Sequence, residues 1–373
     1  MGHDLLPPAP LRIGGVPLPM VGPVRLYVCG VTPYDVTHLG HAATFVWVDA
    51  LVRTLRAANL QPVVTRNVTD VDDVLTAAAA RAGSPYDEYA AIHQYSFDHD
   101  MSELGVRRPD YEPRAHQHIG DVVRLAQALL DRGAAYEVKG TVYFRGADVP
   151  SSAGLDDATA RAQLVEFGEH PDDPAKEGPF DVPVWRASHD GDPAWPSPWG
   201  PGRPGWHAEC TAMVLSQYGS SLDIHAGGAD LAFPHHAYEA AQAEAATGVT
   251  PFARAWMRVG TVRIGGEKMA KSTGNLVLVA DLLQEHRPGA LRLMILERGW
   301  SDAWDYEPAL LANAEGRLDA LHAAAGRRSD DEAAEREVLR RLLDDVDVSG
   351  ALGVALESGG RSARVLVQVL GLE

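Results

Sequence analysis

The chain has 373 residues, of which 46% are hydrophobic and 23% are charged, an ordinary composition for a globular protein. This balance excludes a largely disordered chain, and the length suits one large α/β domain with a smaller appendage. A formal net charge of −18 disfavours nonspecific binding to nucleic acid, and no apolar stretch approaches the roughly 20 residues that span a bilayer. Only two cysteines are present, so a disulfide framework is excluded and a reducing, cytoplasmic location is expected.

Hydrophobic patterning in the first part of the chain predicts a β-α-β unit. Residues 25–30 have the pattern of a buried strand, residues 42–57 have helical spacing, and residues 61–67 have the pattern of a second strand. Because such a unit joins parallel strands through a right-handed crossover, it predicts the beginning of a doubly wound α/β sheet. We interpret the aspartates of residues 70–73 as carboxylates at the N-terminus of the next helix rather than as a magnesium cluster.

Beyond this unit the pattern changes and then returns. A helix over 119–132 and a strand over 141–144 lead into Pro- and Gly-rich sequence over 195–205, which indicates an insertion. Helical spacing over 206–218 and 237–247 marks the second half of the sheet domain. The expected parts are a first half over 1–110, an inserted α/β segment over 111–204, a second half over 205–310 and a small helical domain over 311–373.

Two short tracts, far apart in the chain, have the composition of the two walls of an ATP site. The first, HLGH, runs from His38 to His41, directly before a predicted helix whose N-terminus would favour phosphate. Its imidazoles can donate to phosphate oxygens, and Gly40 lets backbone and adenine approach closely. The second, KMAKS, supplies Lys268 and Lys271, which can stabilise negative charge as pyrophosphate leaves the α-phosphorus. Each tract alone also occurs as an ordinary loop, but together they predict adenylate-forming chemistry.

Four side chains have the chemistry of a zinc site. Cys29 and Cys210 lie in turn-flanked positions, although an isolated cysteine is more often a small buried hydrophobic residue. His235 and Glu239 are four residues apart, so a helix would present both on one face. Two thiolates, an imidazole and a displaceable carboxylate suit Zn²⁺ with one position open to an added ligand. Zinc beside an ATP site would recognise a substrate thiolate, which implies that the substrate is cysteine.

Several longer motifs follow one another over nearly the whole chain. They are YVCGVTPYD from Tyr27, HLGH from His38, RNVTDVDD from Arg66, WPSPWGPGRPGWHAEC from Trp195, DIHAGGADLAFPHH from Asp223 and KMAKS from Lys268. On these motifs the sequence resembles the class I cysteinyl-tRNA synthetase family. The resemblance implies a Rossmann-like doubly wound parallel sheet of the HIGH and KMSKS type, with an inserted α/β segment and a small C-terminal helical domain.

Within that family the sequence is most similar to the ligases of mycothiol biosynthesis, which join the carboxyl group of cysteine to the amine of glucosaminyl-inositol. Residues 32–44 follow the ligase pattern more closely than the synthetase pattern. Residues 166–171 occupy the place of a ligase signature, and the short helical region at the end matches that of the ligases.

Departures from the ligase pattern leave two alternatives open. Ala270 stands where the family usually has Ser, and Phe167 and Glu169 replace residues of the ligase signature. Glu239 matches a zinc ligand of the synthetases that the ligase pattern lacks. The alternatives are a short cysteinyl-tRNA synthetase and a relative that joins cysteine to another small amine. A catalytically silent relative is disfavoured because both ATP-site tracts keep their histidines and lysines.

The resemblance also implies partners and a role for each matching residue. L-Cysteine and ATP with Mg²⁺ would give cysteinyl-AMP and pyrophosphate, and an amino-sugar acceptor would then take the cysteinyl group. tRNA is a less favoured partner, no membrane partner is expected, and the chain would be a monomer or homodimer. The catalytic residues would be His38, His41, Lys268 and Lys271. One zinc ion would be bound by Cys29, Cys210 and His235, with Glu239 as a further ligand. The nucleotide and adenylate pocket would be lined by Cys29, Gly30, Val31, Thr32, Gly40, Thr44, Asn67, Val68, Thr69, Trp206, Gly228, Ala229, Asp230 and Val262.

Overall fold

The computed structural model describes residues 7–34, 36–189, 191–269 and 274–373. Within these ranges the strands are β1 Leu11–Ile13, β2 Val16–Leu18, β3 Val24–Val31, β4 Pro62–Val68, β5 Ala135–Val138, β6 Thr141–Phe144, β7 Val182–Ala187, β8 Gly202–Pro204, β9 Leu222–Gly228, β10 Ala253–Val259, β11 Val262–Ile264, β12 Glu267–Lys268 and β13 Trp304–Asp305.

The helices of the described residues alternate with these strands and then continue alone to the end of the chain. They are α1 Leu39–Ala57, α2 Asp73–Ala82, α3 Tyr86–Glu103, α4 Ile119–Asp131, α5 Val149–Ser152, α6 Asp157–Glu166, α7 Trp206–Tyr218, α8 Ala237–Thr247, α9 Val279–Glu285, α10 Pro288–Leu296, α11 Pro308–Ala325, α12 Glu332–Leu343, α13 Val348–Ser358 and α14 Arg361–Leu370. Short 3₁₀ turns cover Ala115–Gln117 and Ala229–Leu231, and a wide π-type turn covers Ala232–His236.

A four-stranded parallel sheet forms the centre of the fold. Its order is β10-β9-β3-β4, so β3 pairs with β4 on one side and with β9 of the second half on the other. Side chains alternate along β3: Leu26 and Val28 pack with α1, whereas Tyr27 and Cys29 join the core on the opposite face. The predicted Rossmann-like doubly wound sheet is therefore confirmed, and strand order reverses between β3 and β9. Ligands bind at the carboxyl ends of the strands at such a point.

Side chains at two helix starts explain where the first helices begin. α1 starts at Leu39 rather than at residue 42, because the His38 side chain accepts a hydrogen bond from the first turn. Asp72 is the N-cap of α2 and accepts from the backbone N–H of Val74 over 2.7 Å. The interpretation of this aspartate as a carboxylate at a helix N-terminus is confirmed.

The inserted segment has a sheet and a core of its own. Strands β5 to β8 form an antiparallel sheet in sequential order, and helix α4 packs on β7. The core of the segment contains the fully buried Trp185 and Val122 together with Leu164 of α6. The four boundaries stated above for the parts of the chain stay a prediction.

A short hairpin positions Lys268, the first residue of the KMAKS tract. Strands β11 and β12 are antiparallel and are joined by Gly265 and Gly266, whose φ angles of +59° and +84° suit a tight two-residue turn. Lys268 lies at the end of β12, and β11 also pairs in parallel with β13. The hairpin therefore brings the first lysine of the tract to the carboxyl edge of the central sheet.

The last helices, α11 to α14, pack on one another and on α1 and α10. Arg292 of α10 is fully buried at this junction. It donates from Nε to Leu370 O over 2.9 Å and from Nη1 to Leu104 O over 3.1 Å, and its Nη2 lies 2.6 Å from Asp49 Oδ2 of α1. The C-terminal helices are thus connected directly to the helix that begins with HLGH. No helix in the described ranges combines the length and the apolar character needed to cross a membrane.

Candidate active site

The HLGH tract forms the first turn of α1 and is organised by its own hydrogen bonds. The N–H of Gly40 donates to His38 Nδ1 over 3.1 Å, and the N–H of His38 donates to His41 Nδ1 over 3.4 Å. The two rings stack with their centroids 3.8 Å apart. Because Nδ1 accepts in both rings, the proton of each neutral imidazole lies on Nε2. Nε2 is therefore the atom that can donate to a phosphate oxygen.

The charge of this ring pair is limited by its surroundings. Burial, together with the neighbouring His38, lowers the pKa of His41 to about 3, so this ring is neutral near pH 7. His41 therefore adds no positive charge for a bound triphosphate, whereas the N-terminus of α1 and Lys268 supply positive potential.

The segment around KMAKS closes on the HLGH turn. A Cβ placed on Gly40 would lie 2.9 Å from His38 Cε1 and 3.5 Å from the methyl carbon of Met269, so a side chain at this position would press on the ring. The N–H of Leu39 donates to Val277 O over 2.9 Å, which joins the start of α1 to the chain that follows the tract. The HLGH turn therefore lies beside Met269 of KMAKS and beside the chain that follows the tract.

Lys268 links the hairpin to the end of β9. Its Nζ lies 2.7 Å from Asp230 Oδ2, and the two side chains are 47% and 37% exposed. The same nitrogen lies 5.8 Å from the ring centroid of Phe167, which belongs to the inserted segment. The other predicted lysine, Lys271, lies outside the described residues.

The four predicted metal ligands are brought together by four different elements. Cys29 lies on β3, Cys210 on α7, His235 in the wide turn, and Glu239 on α8. All four are buried, and their donor atoms lie within 4.8 Å of one another. Sγ of Cys29 lies 3.4 Å from Glu239 Oε1, and His235 Nε2 lies 3.0 Å from the same oxygen. This compact set of sulfur, nitrogen and oxygen donors fits a divalent metal such as zinc.

The electrostatics of these donors also suit a metal. A hydrogen bond from Cys29 lowers the pKa of the Cys210 thiol to about 6. Burial opposes protonation of His235, but Glu239 and Cys210 outweigh it and raise its pKa to about 10. Burial opposes ionisation of Glu239, but His225 and His235 reverse this effect and hold its pKa well below the usual range. A thiolate and a carboxylate are thus ready to bind a cation, which would compete with the His235 proton.

Histidines behind the donor set were not predicted as site residues. His225 Nε2 lies 2.9 Å from Glu239 Oε2, and His207 Nδ1 lies 3.0 Å from His235 Nδ1. Such contacts orient metal ligands. His225 and His236 also lie within 4.8 Å of Cys29 as a second group of possible donors. The available signal in the sequence was that these histidines lie within the WHAEC, DIHAGG and PHH motifs.

An aromatic stack covers the donor set. Trp206 stacks on His235 with centroids 4.2 Å apart and an interplanar angle of 17°. Phe167 stacks on the same indole at 5.9 Å and 20°. Because Phe167 also contacts Lys268, the inserted segment reaches both the donor set and the ATP side of the site.

The predicted pocket residues at the ends of β3 and β4 form one hydrogen-bonded group. The N–H of Gly30 donates to Asn67 Oδ1 over 2.8 Å, and Asn67 Nδ2 donates to Thr69 Oγ1 over 2.9 Å. The N–H of Thr69 donates to Val31 O over 3.1 Å. A Cβ on Gly30 would meet Asn67 O at 1.7 Å, so only glycine permits this approach. Val68 is fully buried between these residues.

The remaining predicted pocket residues lie around the same sheet edge. They are Thr32 after β3, Thr44 on α1, Gly228 at the end of β9, Ala229 and Asp230 in the next short turn, and Val262 at the start of β11. Thr44 Oγ1 donates to Gly40 O over 3.4 Å. A Cβ on Gly228 would lie 2.4 Å from Asp230 Oδ1, so glycine allows the carboxylate to fold back over the strand end.

Comparisons with known proteins agree with this geometry. Residues 19–316 match the family described as the tRNA synthetases class I (C) catalytic domain. A Parafrankia protein named L-cysteine:1D-myo-inositol 2-amino-2-deoxy-alpha-D-glucopyranoside ligase is 43% identical over 91% of this chain and 78% of its own length. The protein of that name from Streptosporangium roseum is 40% identical over 94% of this chain and 91% of its own.

Synthetases are similar as well. A cysteine–tRNA ligase of Legionella pneumophila is 42% identical over 81% of this chain and 66% of its own length. The crystal structure of Mycobacterium tuberculosis methionyl-tRNA synthetase bound by methionyl-adenylate has a TM-score of 0.65 at 16% identity, over 93% of this chain and 88% of the other. That likeness concerns the fold alone. The chain thus belongs to the class I (C) tRNA synthetase family, which is the family of the cysteinyl-tRNA synthetases.

Proposed function

We propose that this chain is an ATP-dependent ligase that activates L-cysteine as cysteinyl-AMP and transfers it to the amine of glucosaminyl-inositol. AMP and pyrophosphate are released. The observation that carries the proposal is the buried set of Cys29, Cys210, His235 and Glu239, whose first member lies near the carboxyl end of β3. The proposal for the acceptor is supported by the two ligases that are similar over more than three quarters of their own length.

Substrate selection begins at the buried donors. A zinc ion held by Cys29, Cys210 and His235, with Glu239 as a further ligand, would supply a Lewis acid that accepts a thiolate sulfur and discriminates against serine. Trp206 stacks on His235 and covers one face of its imidazole. Thr69 Oγ1 accepts from Asn67, so its hydroxyl proton can be donated to the carboxylate of the amino acid.

In the first step an oxygen of the cysteine carboxylate attacks the α-phosphorus of ATP, and the bond to the pyrophosphate oxygen breaks. His38 and His41 donate from Nε2 to oxygens of the phosphate chain, which enters as the magnesium complex. Lys268, released from Asp230, and Lys271 neutralise the charge that develops on pyrophosphate. These residues contribute position and charge rather than proton transfer, since the ring of His41 stays neutral.

In the second step the acceptor nitrogen attacks the activated carbonyl carbon, and the bond to AMP breaks. The amine must be neutral to attack, so its proton leaves before or during the formation of the amide. We assign the reaction to a cytoplasmic enzyme, a monomer or homodimer, in keeping with its two free thiols.

One observation favours a second candidate, the charging of tRNA. Glu239 is a buried fourth donor, as in the synthetases that the sequence resembles. Against this candidate, the net charge of −18 opposes binding of a long polyanion.

The test is a set of reactions with the purified protein, ATP and either L-cysteine or L-serine. L-Cysteine should support exchange of pyrophosphate into ATP, and L-serine should not. The products are followed by mass spectrometry. Adding glucosaminyl-inositol should give a cysteinyl amide and AMP. A cysteinyl ester formed only with cysteine tRNA would replace the ligase by the synthetase. No exchange with cysteine would end the proposal.

A further inference from the structure

A large cavity opens beside Lys268 and Asp230 and extends away from the ATP side of the site. It has a volume of about 740 Å³, within the range of small-molecule sites. One wall comes from α5 and α6 of the inserted segment, and the opposite wall comes from α8 and β10 of the second half. The cavity reaches the proposed adenylate site but extends beyond any residue that a bound cysteine or nucleotide is expected to contact.

Arg258 of β10 faces this cavity without an anionic partner among the described residues. Its side chain is half-buried, and Nε is enclosed and makes no hydrogen bond. The guanidinium carbon lies 4.8 Å from the ring centroid of Trp256. Burial lowers the pKa of Arg258, and no neighbouring carboxylate compensates for it. A half-buried guanidinium whose enclosed Nε makes no hydrogen bond is unfavourable, so its retention points to a ligand that supplies an acceptor.

The other lysine and arginine side chains in the lining already have partners. Lys268 pairs with Asp230, and Arg145 pairs with Glu177. Glu244 accepts a hydrogen bond from the N–H of Phe252. Arg258 is therefore the lining cation that remains available within the part of the chain that the structure describes.

A second polar side chain in the lining also lacks partners. His236 is fully buried, and neither ring nitrogen makes a hydrogen bond to the described residues. A Cβ on Gly227 would lie 2.9 Å from His236 Nε2, so the glycine leaves room for the ring at the cavity wall. Arg258 thus gives the cavity wall hydrogen-bonding capacity that no described residue uses, whereas the nitrogens of His236 are also possible metal donors.

We propose that this cavity holds the part of the acceptor that lies beyond its reacting amine, and that Arg258 determines specificity by donating to oxygens of that part. The proposal rests on the proposed function, because the cavity matters only if an amine is the second substrate. The ligand class is an amine that carries several oxygen acceptors, supplied either by the hydroxyls of a polyol or by a phosphate. The planar guanidinium group of Arg258 can donate from several N–H groups to hydroxyl oxygens or to phosphate oxygens.

The experiment compares kcat/KM for glucosaminyl-inositol, glucosamine 6-phosphate and unsubstituted glucosamine with wild type, Arg258→Gln and Arg258→Lys. Wild type should prefer one of the first two acceptors over glucosamine by at least tenfold, because one charge-assisted contact contributes roughly that factor or more. Arg258→Gln should reduce this preference to within about twofold, and Arg258→Lys should keep part of it. The preferred acceptor tells whether hydroxyls or a phosphate supply the oxygens.

Arg254→Gln is the matched control. Arg254 lies on the same face of β10, but it pairs with Asp223 over 2.9 Å and does not line the cavity. Its replacement should leave the acceptor preference unchanged. A merely structural role for Arg258 predicts instead a lower melting temperature of Arg258→Gln with an unchanged preference, and that result would overturn the proposal.

Exchange of pyrophosphate into ATP with cysteine alone distinguishes a failure of the proposed function from a failure of the role of Arg258. If wild type shows no exchange, the proposed function fails. If wild type shows exchange but uses the three amines equally, or if the preference survives in Arg258→Gln, the role of Arg258 is refuted while the activation of cysteine stands.

Discussion

Replacement of the buried Arg292 by methionine should destabilise the protein strongly without touching the site. Methionine fills a similar volume but removes all three donations, which reach Leu370 O, Leu104 O and Asp49. Asp49 would remain paired with Arg53 through a contact of 2.7 Å. The loss therefore comes mainly from two buried carbonyl groups without donors and only partly from the ion pair.

The sum of these losses gives an estimate of the change in the free energy of unfolding. A buried acceptor left without a partner costs about 1–3 kcal/mol, and breaking a buried ion pair costs about 3–5 kcal/mol when the partner is left alone. Because Asp49 keeps Arg53, only part of the ion-pair cost applies. With both carbonyl groups near the lower end of their range, Arg292→Met should lower the free energy of unfolding by about 4 kcal/mol. Asp49→Asn should cost about 3 kcal/mol, since the guanidinium of Arg292 keeps its two carbonyl partners.

The assay is urea unfolding followed by tryptophan fluorescence, with both single variants and the double variant. The double variant should lose less than the sum of the singles, because the two residues contact each other. Arg287→Gln is the control: its exposed guanidinium pairs with Asp319 over 2.8 Å and should contribute less than about 1 kcal/mol. A cost below about 1 kcal/mol for Arg292→Met, or strict additivity in the double variant, would refute this reasoning.

Three further changes test the site. Gly30→Ala should abolish exchange of pyrophosphate because its Cβ would meet Asn67 O at 1.7 Å, whereas Gly22→Ala, in open space, should not; substantial exchange by Gly30→Ala contradicts the close approach. The unfolded chain binds a proton at His41 below pH 6.5, but the folded chain does so only near pH 3. The free energy of unfolding should therefore decrease as the pH is lowered from 6.5 towards 3, and it should decrease less in His41→Asn. If urea unfolding at several pH values gave wild type and His41→Asn the same pH dependence of the free energy of unfolding, that result would contradict this pKa. Cys210→Ser should lower bound zinc, measured by plasma mass spectrometry, well below one per chain, and full retention would remove Cys210 from the ligand set.

The sequence patterns predicted local structure well where one signal dominated. Helices α7 and α8 begin and end at the predicted residues, because their apolar spacing is bounded by glycine at each C-terminal end. The start of α1 was predicted too late, because histidine is an uncommon N-cap and its Nδ1 does here what a serine or aspartate oxygen usually does.

The donor set was predicted from residue types, but its local geometry was not. His235 and Glu239 were expected on one helix face, whereas His235 lies in a wide turn before α8 in which Phe233 is extended. The turn moves the imidazole, yet Nε2 still reaches the carboxylate at 3.0 Å. Hydrophobic periodicity cannot predict such a turn, since it has no repeating pattern.

Contacts between distant parts of the chain were beyond sequence reasoning. Phe167 stands where a polar signature residue was expected, and no local pattern says that it stacks on Trp206. The same holds for Arg258, which reads as one more alternating residue of an edge strand. Both depend on how the inserted segment packs against the second half, and this packing is decided by side chains far apart in the sequence.

In the first turn of α1, each of two histidine rings has two functions. In His38 and His41, one nitrogen holds the chain in its helical shape and the other is the donor offered to phosphate. Histidine has an acceptor and a donor on separate nitrogens of one rigid ring. Asparagine could preserve the helix start but would not reach the phosphate, and lysine could reach the phosphate but has no acceptor for the helix start. Selection for folding alone would thus favour an acceptor at the helix start even after selection for catalysis had ended. In relatives that have lost the activity, we expect the lysines of the opposite wall to disappear first.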